Sequence, residues 1–575
     1  MIETTRRALL AGLLLTAFVA SAHAQRGSAV TDIPPVTPVT APNGMVVAQE
    51  ARATRIGVEI LQRGGNAVDA AVAVGFALAV TYPRAGNIGG GGFMVIHLAA
   101  QNRQIAIDYR ETAPAATTRE TYLDARGDAD PKKSRDHGLA IGVPGTVAGL
   151  ALAHARYGSG RFTLAELIRP AIALARDGIP VETDIADSLP QALLRLAQWP
   201  SSAKVFLKPD GTPLREGDRL VQRDLAASLG AIARNGPRAF YRGEIAQRIA
   251  ASVRKAGGLM TRDDLKNYRA VERPAVRGSY RGHEIVSMPP PSSGGALLIE
   301  MLNVLEGFEL RAGDPDSLHL MIETMKRAYA DRAQFFGDPD AVKMPLAGLL
   351  SKRYAATLRA GIDPRRAQPP RYIAVGNPFA FEGNNTTHFS VVDRFGNAVA
   401  NTYTLNQSYG VGLVADGTGI LLNNELDDFA AKPGAPNIFG LVGLDHANAP
   451  GPGKRPLSSM TPTIVFKDGK PLLVTGAPGG SRIITAVLQV LLNVIDHRMS
   501  LADAVGAARI HHQWLPDEVV VERILPAAAV QALEARGHRV TVRAPSTSVN
   551  SILIGPAGLI GAADTRTRGA LAAGH

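Results

Sequence analysis

Apolar positions in residues 53–82 recur at helical spacing, interrupted once at Gly64-Gly65. Asn66 stands where the second run begins, a residue type that caps helices by accepting a backbone N–H bond. Two helices joined by a tight turn are predicted. Gly86 to Gly92 then lead into apolar residues 93–98 and, after a polar turn, 105–109, the pattern of a β-hairpin. Four consecutive glycines invite a nucleotide-binding reading, but a phosphate loop follows a strand and opens a helix, whereas these glycines precede a strand.

Residues 163–360 carry amphipathic helical segments such as 164–177 and 317–335, and Pro289-Pro290-Pro291-Ser292-Ser293-Gly294-Gly295 interrupts them as a rigid loop. After Asn385 the pattern turns to strands. Segments 386–393 and 397–405 flank Arg394-Phe395-Gly396, and 463–466 joins 472–475 through Asp468-Gly469. Residues 481–495 are apolar on more than one face, as a buried helix would be. Strands with helices on their faces predict a layered sheet-and-helix body. Proline-rich residues 26–44 read as an irregular lead-in.

The chain has 575 residues, 46% hydrophobic and 20% charged, which is ample for a large core. Arg6-Arg7, an apolar run over 8–20 and Ala22-His23-Ala24 read as an export signal over residues 1–24, so the mature chain begins near Gln25. The run falls short of the ~20 residues that span a bilayer, which argues against an anchor. Ordinary secretion is favoured over twin-arginine export, the paired arginines being a partial match to the latter. A periplasmic or secreted protein without a membrane partner is expected.

With no cysteine, disulfide scaffolds, thiolate metal sites and cysteine nucleophiles are excluded. The formal charge of +11 is scattered and aromatics are only 5%, so no nucleic-acid partner is expected. Ser201-Ser202-Ala203-Lys204 lacks the companion elements of penicillin-binding enzymes and reads as a chance match. His511-His512 lacks a third ligand, so neither metal nor cofactor is expected.

The block Asn385-Thr386-Thr387-His388-Phe389-Ser390-Val391-Val392-Asp393, continued by Asn397-Ala398-Val399-Ala400-Asn401-Thr402-Tyr403-Thr404-Leu405-Asn406, resembles the processing site of the bacterial gamma-glutamyltransferase family. The resemblance runs from Gly65-Asn66-Ala67-Val68-Asp69-Ala70 to His511-His512-Gln513-Trp514-Leu515-Pro516. It implies an α+β fold, a four-layer αββα sandwich of the N-terminal-nucleophile hydrolase type, formed as one fold by two subunits of a single precursor. It further implies autocatalytic cleavage between Asn385 and Thr386, giving a large subunit over 25–385 and a small catalytic subunit over 386–575.

The chemistry explains the cut. A threonine hydroxyl needs a nearby base, and a free N-terminal amine with pKa about 8 can serve. Such an amine exists at Thr386 only after cleavage. Taken alone Thr386 would be an ordinary β-branched strand residue; its motif makes it the expected nucleophile, with Thr404 matching the family's second active-site threonine. His388 shares a strand face with Thr386 and is read as structural.

The resemblance also assigns substrate contacts. Arg110 matches the arginine that grips the donor's α-carboxylate, a task suited to its planar fork, and Ser458 and Ser459 match serines donating to the same group. Glu425 and Asp428, with Asn406 assisting, match acceptors for the α-ammonium, while Asp427 reads as a solvated acidic turn residue. Gly479 and Gly480 precede a helix and match an oxyanion hole. Residues 433–450 resemble a lid loop, with Phe439 where relatives often carry tyrosine, which leaves lid closure open.

The implied reaction is gamma-glutamyl transfer and hydrolysis, with glutathione or other gamma-glutamyl compounds as donors and water, amino acids or peptides as acceptors. A glutaryl-cephalosporin acylase is the near alternative, and Asp428 counts against it, because such acylases tend to lose that carboxylate. A binding protein that never processes is the alternative of another class.

Overall fold

The strand β1 (Val39–Ala41) opens a computed structural model that describes residues 33–373, 387–444 and 446–575. The signal segment and the junction Asn385-Thr386 lie outside the described residues. β1 falls inside the stretch read as an irregular lead-in. It pairs only on one side, with Gly558–Ala562, and an edge strand tolerates the neighbouring Pro38 and Pro42.

β2 (Met45–Ala48) leads into α1 (Ala51–Gln62) and α2 (Ala67–Thr81). Asn66 and Asp69 form a reciprocal capping box at the start of α2, so the helix begins where the local sequence directs. β3 (Gly91–Leu98) and β4 (Arg103–Tyr109) make the anticipated hairpin. After a largely helical stretch come β5 (Val271–Arg273), β6 (Val276–Tyr280), β7 (His283–Ser287), α3 (Gly294–Leu305) and α4 (Pro315–Phe335). The hairpin that follows Asn385-Thr386 in sequence is β8 (Thr387–Val392) and β9 (Ala398–Thr404). Then follow β10 (Thr463–Lys467), β11 (Lys470–Thr475), α5 (Arg482–Ile495), β12 (Ser551–Gly555), β13 (Gly558–Ala562) and β14 (Leu571–Gly574).

The strands form two seven-stranded antiparallel sheets, ordered β1-β13-β12-β11-β10-β7-β6 and β14-β2-β8-β9-β3-β4-β5. Alternation along β3 divides its residues between two cores. Phe93 and Val95 face the other sheet and join a core with Ile464, Leu473 and Ile552, whereas Met94 and Ile96 pack with α1 and α2. Helices α3, α4 and α5 cover the outer face of the first sheet. The result is the helix-sheet-sheet-helix layering expected from the sequence. Residues 35–575 make one unit. No described helix is long and apolar enough to cross a membrane.

Candidate active site

The β8–β9 hairpin sets the site's position. Thr387 pairs with Tyr403, and Thr404, the next residue, pairs with Gly91 of β3. Thr386, covalently joined to Thr387, lies outside the described residues. Beyond β9, Asn406 takes a left-handed φ of 74°, a conformation asparagine tolerates better than most residues. Its N–H donates to Thr404 Oγ1 at 2.9 Å and its Nδ2 to the Asn424 carbonyl at 2.9 Å.

A small cavity of about 20 Å³ lies at this end of the sheets, lined by Arg110, Thr404, Asn406, Glu425, Asp428, Ser458, Ser459 and Gly480, with Phe439 and Leu441 on its apolar side. That volume holds about one water molecule. Arg110 is fully buried, one residue past β4. Its guanidinium donates to Glu425 Oε1, to Asp428 Oδ2 at 2.5 Å and to the Pro456 carbonyl at 3.0 Å. The structure thus brings the expected carboxylate-binding cation into contact with the expected ammonium-binding acceptors.

A frame fixes the backbone at Arg110. Its carbonyl accepts from Tyr268 Oη at 2.8 Å and Arg455 Nη1 at 2.5 Å, and its N–H donates to Asp108 Oδ1 at 2.9 Å. Asp108 also pairs with Arg273 at 2.8 Å. Arg455 was visible in the sequence only as a neighbour of the Ser458-Ser459 motif.

Burial pushes the Glu425 carboxyl well above the usual carboxylate range, with Arg110 opposing, and Glu111 rises for the same reason. Asp428 is raised to about 6, again chiefly by burial, with Arg110 pulling it down. Among the described residues, Asn406 Oδ1 accepts from no donor, whereas the Glu425 and Glu111 carboxyls hydrogen-bond each other. A buried acceptor without a donor is costly, so Asn406 Oδ1 retains acceptor capacity beside the cavity.

Ser458 and Ser459 sit on the strip before β10. Ser458 Oγ accepts from the Met460 N–H at 3.2 Å, and Ser459 Oγ accepts from Arg332 at 3.2 Å. Gly480 has φ 57° and Gly479 φ 131°, conformations that disfavour a side chain. Ser481 occupies the N-cap position of α5 without a side-chain cap bond, so both glycines immediately precede the helix start. Gly480 lines the cavity; Gly479 packs instead on Thr547.

Asp427 departs from its reading as a solvated residue. It is buried, pairing with Arg135 at 3.1 Å and accepting from Ser134 Oγ at 2.5 Å and the Ile438 N–H at 2.6 Å. Asn437 Nδ2 donates to Asp428 Oδ1 at 2.9 Å. The loop over residues 437–441 is therefore tied down by the acidic turn itself, and Phe439 lines the cavity without a hydroxyl.

His388 is buried between Thr402 Oγ1 at 2.8 Å and Ser390 Oγ at 3.1 Å, and burial lowers its pKa to about 3, in keeping with a structural residue. Ser201 and Ser202 donate to the carbonyls of Val414 and Gly412, which disposes of the penicillin-binding resemblance. His511 is engaged by Thr485 and Gln513, and His512 Nδ1 accepts from the Trp514 N–H. His319, Glu323 and His538 also converge, but His319 is engaged by Asp363 and His538, and Glu323 by Lys326 and Arg327.

Two antiparallel sheets between helical layers make the four-layer fold of the N-terminal-nucleophile hydrolases. A cephalosporin acylase from Bacillus halodurans has the same fold, with TM-score 0.81 and 28% identity over 94% of this chain and 97% of that one. The sequence matches the gamma-glutamyltranspeptidase family over residues 53–574, and the chain belongs to that family. It is 50% identical to the glutathione hydrolase proenzyme of Escherichia coli (strain K12) over the full length of both chains. A solved chain of Helicobacter pylori gamma-glutamyltranspeptidase is 45% identical, with TM-score 0.55, over 56% of this chain and 93% of that one. The protein is an enzyme of gamma-glutamyl transfer.

Proposed function

We propose that this enzyme is made as a precursor, cut autocatalytically between Asn385 and Thr386, and that Thr386 then carries the gamma-glutamyl group as an ester. Glutathione and related gamma-glutamyl amides are the donors; water, amino acids or peptides are the acceptors. The observation that carries this reading is the cavity where a cation, Arg110, meets Glu425 and Asp428 beside the unpartnered Asn406 Oδ1. An α-amino acid head presents both charges on one carbon, and only such a group complements both halves.

In this reading Arg110, Ser458 and Ser459 hold the α-carboxylate, and Glu425, Asp428 and Asn406 hold the α-ammonium. The Thr386 hydroxyl attacks the amide carbonyl, its own α-amine accepting the proton, while Gly479 and Gly480 N–H groups stabilise the oxyanion. Thr404 supports the nucleophile: Thr387, next to Thr386, pairs with the residue preceding Thr404. Subunits over 25–385 and 386–575 stay together as a heterodimer, a division supported by strands β8 and β2, from the two sides of the cut, pairing in one sheet. The export signal supports a periplasmic or secreted location.

Denaturing electrophoresis of the purified protein, with N-terminal sequencing of the smaller fragment, tests the cut directly. Two bands are expected, the smaller beginning at Thr386. A single band in active enzyme would overturn the reading. The acylase alternative is separated by comparing gamma-glutamyl with glutaryl anilides, and equal or better glutaryl turnover would favour it.

A pH dependence follows from the raised Asp428. Ammonium binding needs the carboxylate, and protonation removes it as pH falls through about 6. Accordingly kcat/KM is expected to drop on the acid side near that pH, with KM rising. A profile flat to pH 5 would remove Asp428 from the binding step.

A further inference from the structure

The loop Pro289-Pro290-Pro291-Ser292-Ser293-Gly294-Gly295, to which the proposed reaction assigns no task, lies against the strip carrying Ser458 and Ser459. The Ser458 N–H donates to the Pro291 carbonyl at 2.8 Å. Ser293 returns two bonds to the Ser458 carbonyl, from its N–H at 2.9 Å and its Oγ at 2.8 Å, and Ser292 Oγ donates to the Met460 carbonyl at 2.6 Å. The approach is so close that a Cβ on Gly294 would meet Thr461 Oγ1 at 2.2 Å. The loop is a splint for the two serines.

Arg332 of α4 stands behind that splint, 3% exposed. Its Nε donates to Ser293 Oγ at 2.9 Å and its Nη2 to Ser459 Oγ at 3.2 Å. Among the described residues no carboxylate lies within ion-pair distance of it. Burial lowers its pKa to about 10, which leaves it cationic at neutral pH. Burying a cation without a paired anion is costly, so its retention calls for a compensating role.

The donor and acceptor capacity of the two serine hydroxyls supplies one. A guanidinium only donates, so both hydroxyls must accept from it, and each keeps one proton to give. Ser293 gives its proton to the Ser458 carbonyl. Ser459 gives its proton to no described residue, and it lines the cavity.

We propose that Arg332 is a positioning residue that fixes the Ser459 hydroxyl as a donor into the cavity and places a second positive charge one hydroxyl behind it, selecting donors that bear an α-carboxylate. The inference rests on Ser459 being a carboxylate ligand, as proposed above. It extends the carboxylate site from Arg110 to a second cation that does not touch the substrate.

The test compares processed wild type, Ser459→Ala, Arg332→Gln, Arg332→Lys and the Ser459→Ala/Arg332→Gln double variant on a gamma-glutamyl anilide, with fragment pattern and thermal midpoint recorded for each. Losing a bond from a charge-backed donor is expected to raise KM about tenfold to a hundredfold in Arg332→Gln while kcat stays within about threefold. Arg332→Lys, which keeps the charge, should recover part of the loss. Because the two residues act as a unit, the double variant should be no worse than the poorer single variant by more than about twofold. If Arg332→Gln does not process, Arg332→Lys carries the same comparison, with KM raised and kcat kept. Additive losses in the double variant, or an unchanged KM in Arg332→Gln while Ser459→Ala is impaired, would overturn the role of Arg332 alone. An unchanged KM in Ser459→Ala would overturn the assignment of Ser459 and this inference with it.

Discussion

Thr386→Ala protein is expected to accumulate as one uncut chain with no measurable gamma-glutamyl transfer, a loss of about 10⁴-fold or more. The substitution removes the oxygen that both events require, attack on the preceding carbonyl and attack on the donor amide. Its effect should also be separable from misfolding. The neighbouring residue Thr387 already pairs with Tyr403, and β8 is held on both sides by β2 and β9, so removing one hydroxyl leaves the sheet intact. Circular dichroism and a thermal midpoint near that of wild type, together with a single band on a denaturing gel, are the expected observations. Processed fragments with turnover from Thr386→Ala would remove Thr386 from the mechanism.

Features governed by local chemistry were legible in the chain. The Asn66 cap, the β3–β4 hairpin and the turn at Asp468-Gly469 all depend on residues a few positions apart, and all stand where the pattern places them. Strand order was not legible. β14 reaches the edge of its sheet beside β2 from more than five hundred residues away, and no periodicity encodes that pairing. Asp427 shows the same limit within the site: an acidic turn looks solvated until Arg135 and Ser134 are brought to it by the fold. Arg332 and Arg455 carry no functional signal in the sequence, because a lone arginine means nothing until its burial is known. Ser458, Ser459, Glu425 and Asp428 stood out only through the family resemblance, since by themselves the serines read as turn residues and the acids as a solvated turn.

Arg110→Lys is expected to raise KM for gamma-glutamyl donors about a hundredfold while the enzyme still processes. Lysine keeps the charge but offers a point donor in place of a planar fork. The fork now spans Glu425, Asp428 and the Pro456 carbonyl at once, and a charge-assisted bond contributes about 1.5–3 kcal/mol. Losing one such bond to a bound carboxylate corresponds to about tenfold to a hundredfold, and misplacing the second brings the upper figure within reach. Arg110→Ala should additionally destabilise the fold by about 3–5 kcal/mol, because it strands buried carboxyl groups without their partner. Steady-state kinetics and denaturant unfolding separate these effects. An Arg110→Lys enzyme with KM within twofold of wild type would show that the fork plays no part in donor binding.

If Arg110, Glu425 and Asp428 bind the donor as proposed, their mutual contact makes binding an exchange reaction. A ligand enters by breaking an internal ion pair in a cavity of about 20 Å³, so the neighbouring side chains or the Phe439 segment must first shift. A lone carboxylate would satisfy the arginine but strand two acids, and a lone amine would do the reverse. Only a zwitterion reconstitutes on both sides what it disrupts. In the proposed binding mode, discrimination against simple dicarboxylates and simple amines therefore comes from the Arg110–Glu425–Asp428 contact, before any part of the leaving group is recognised.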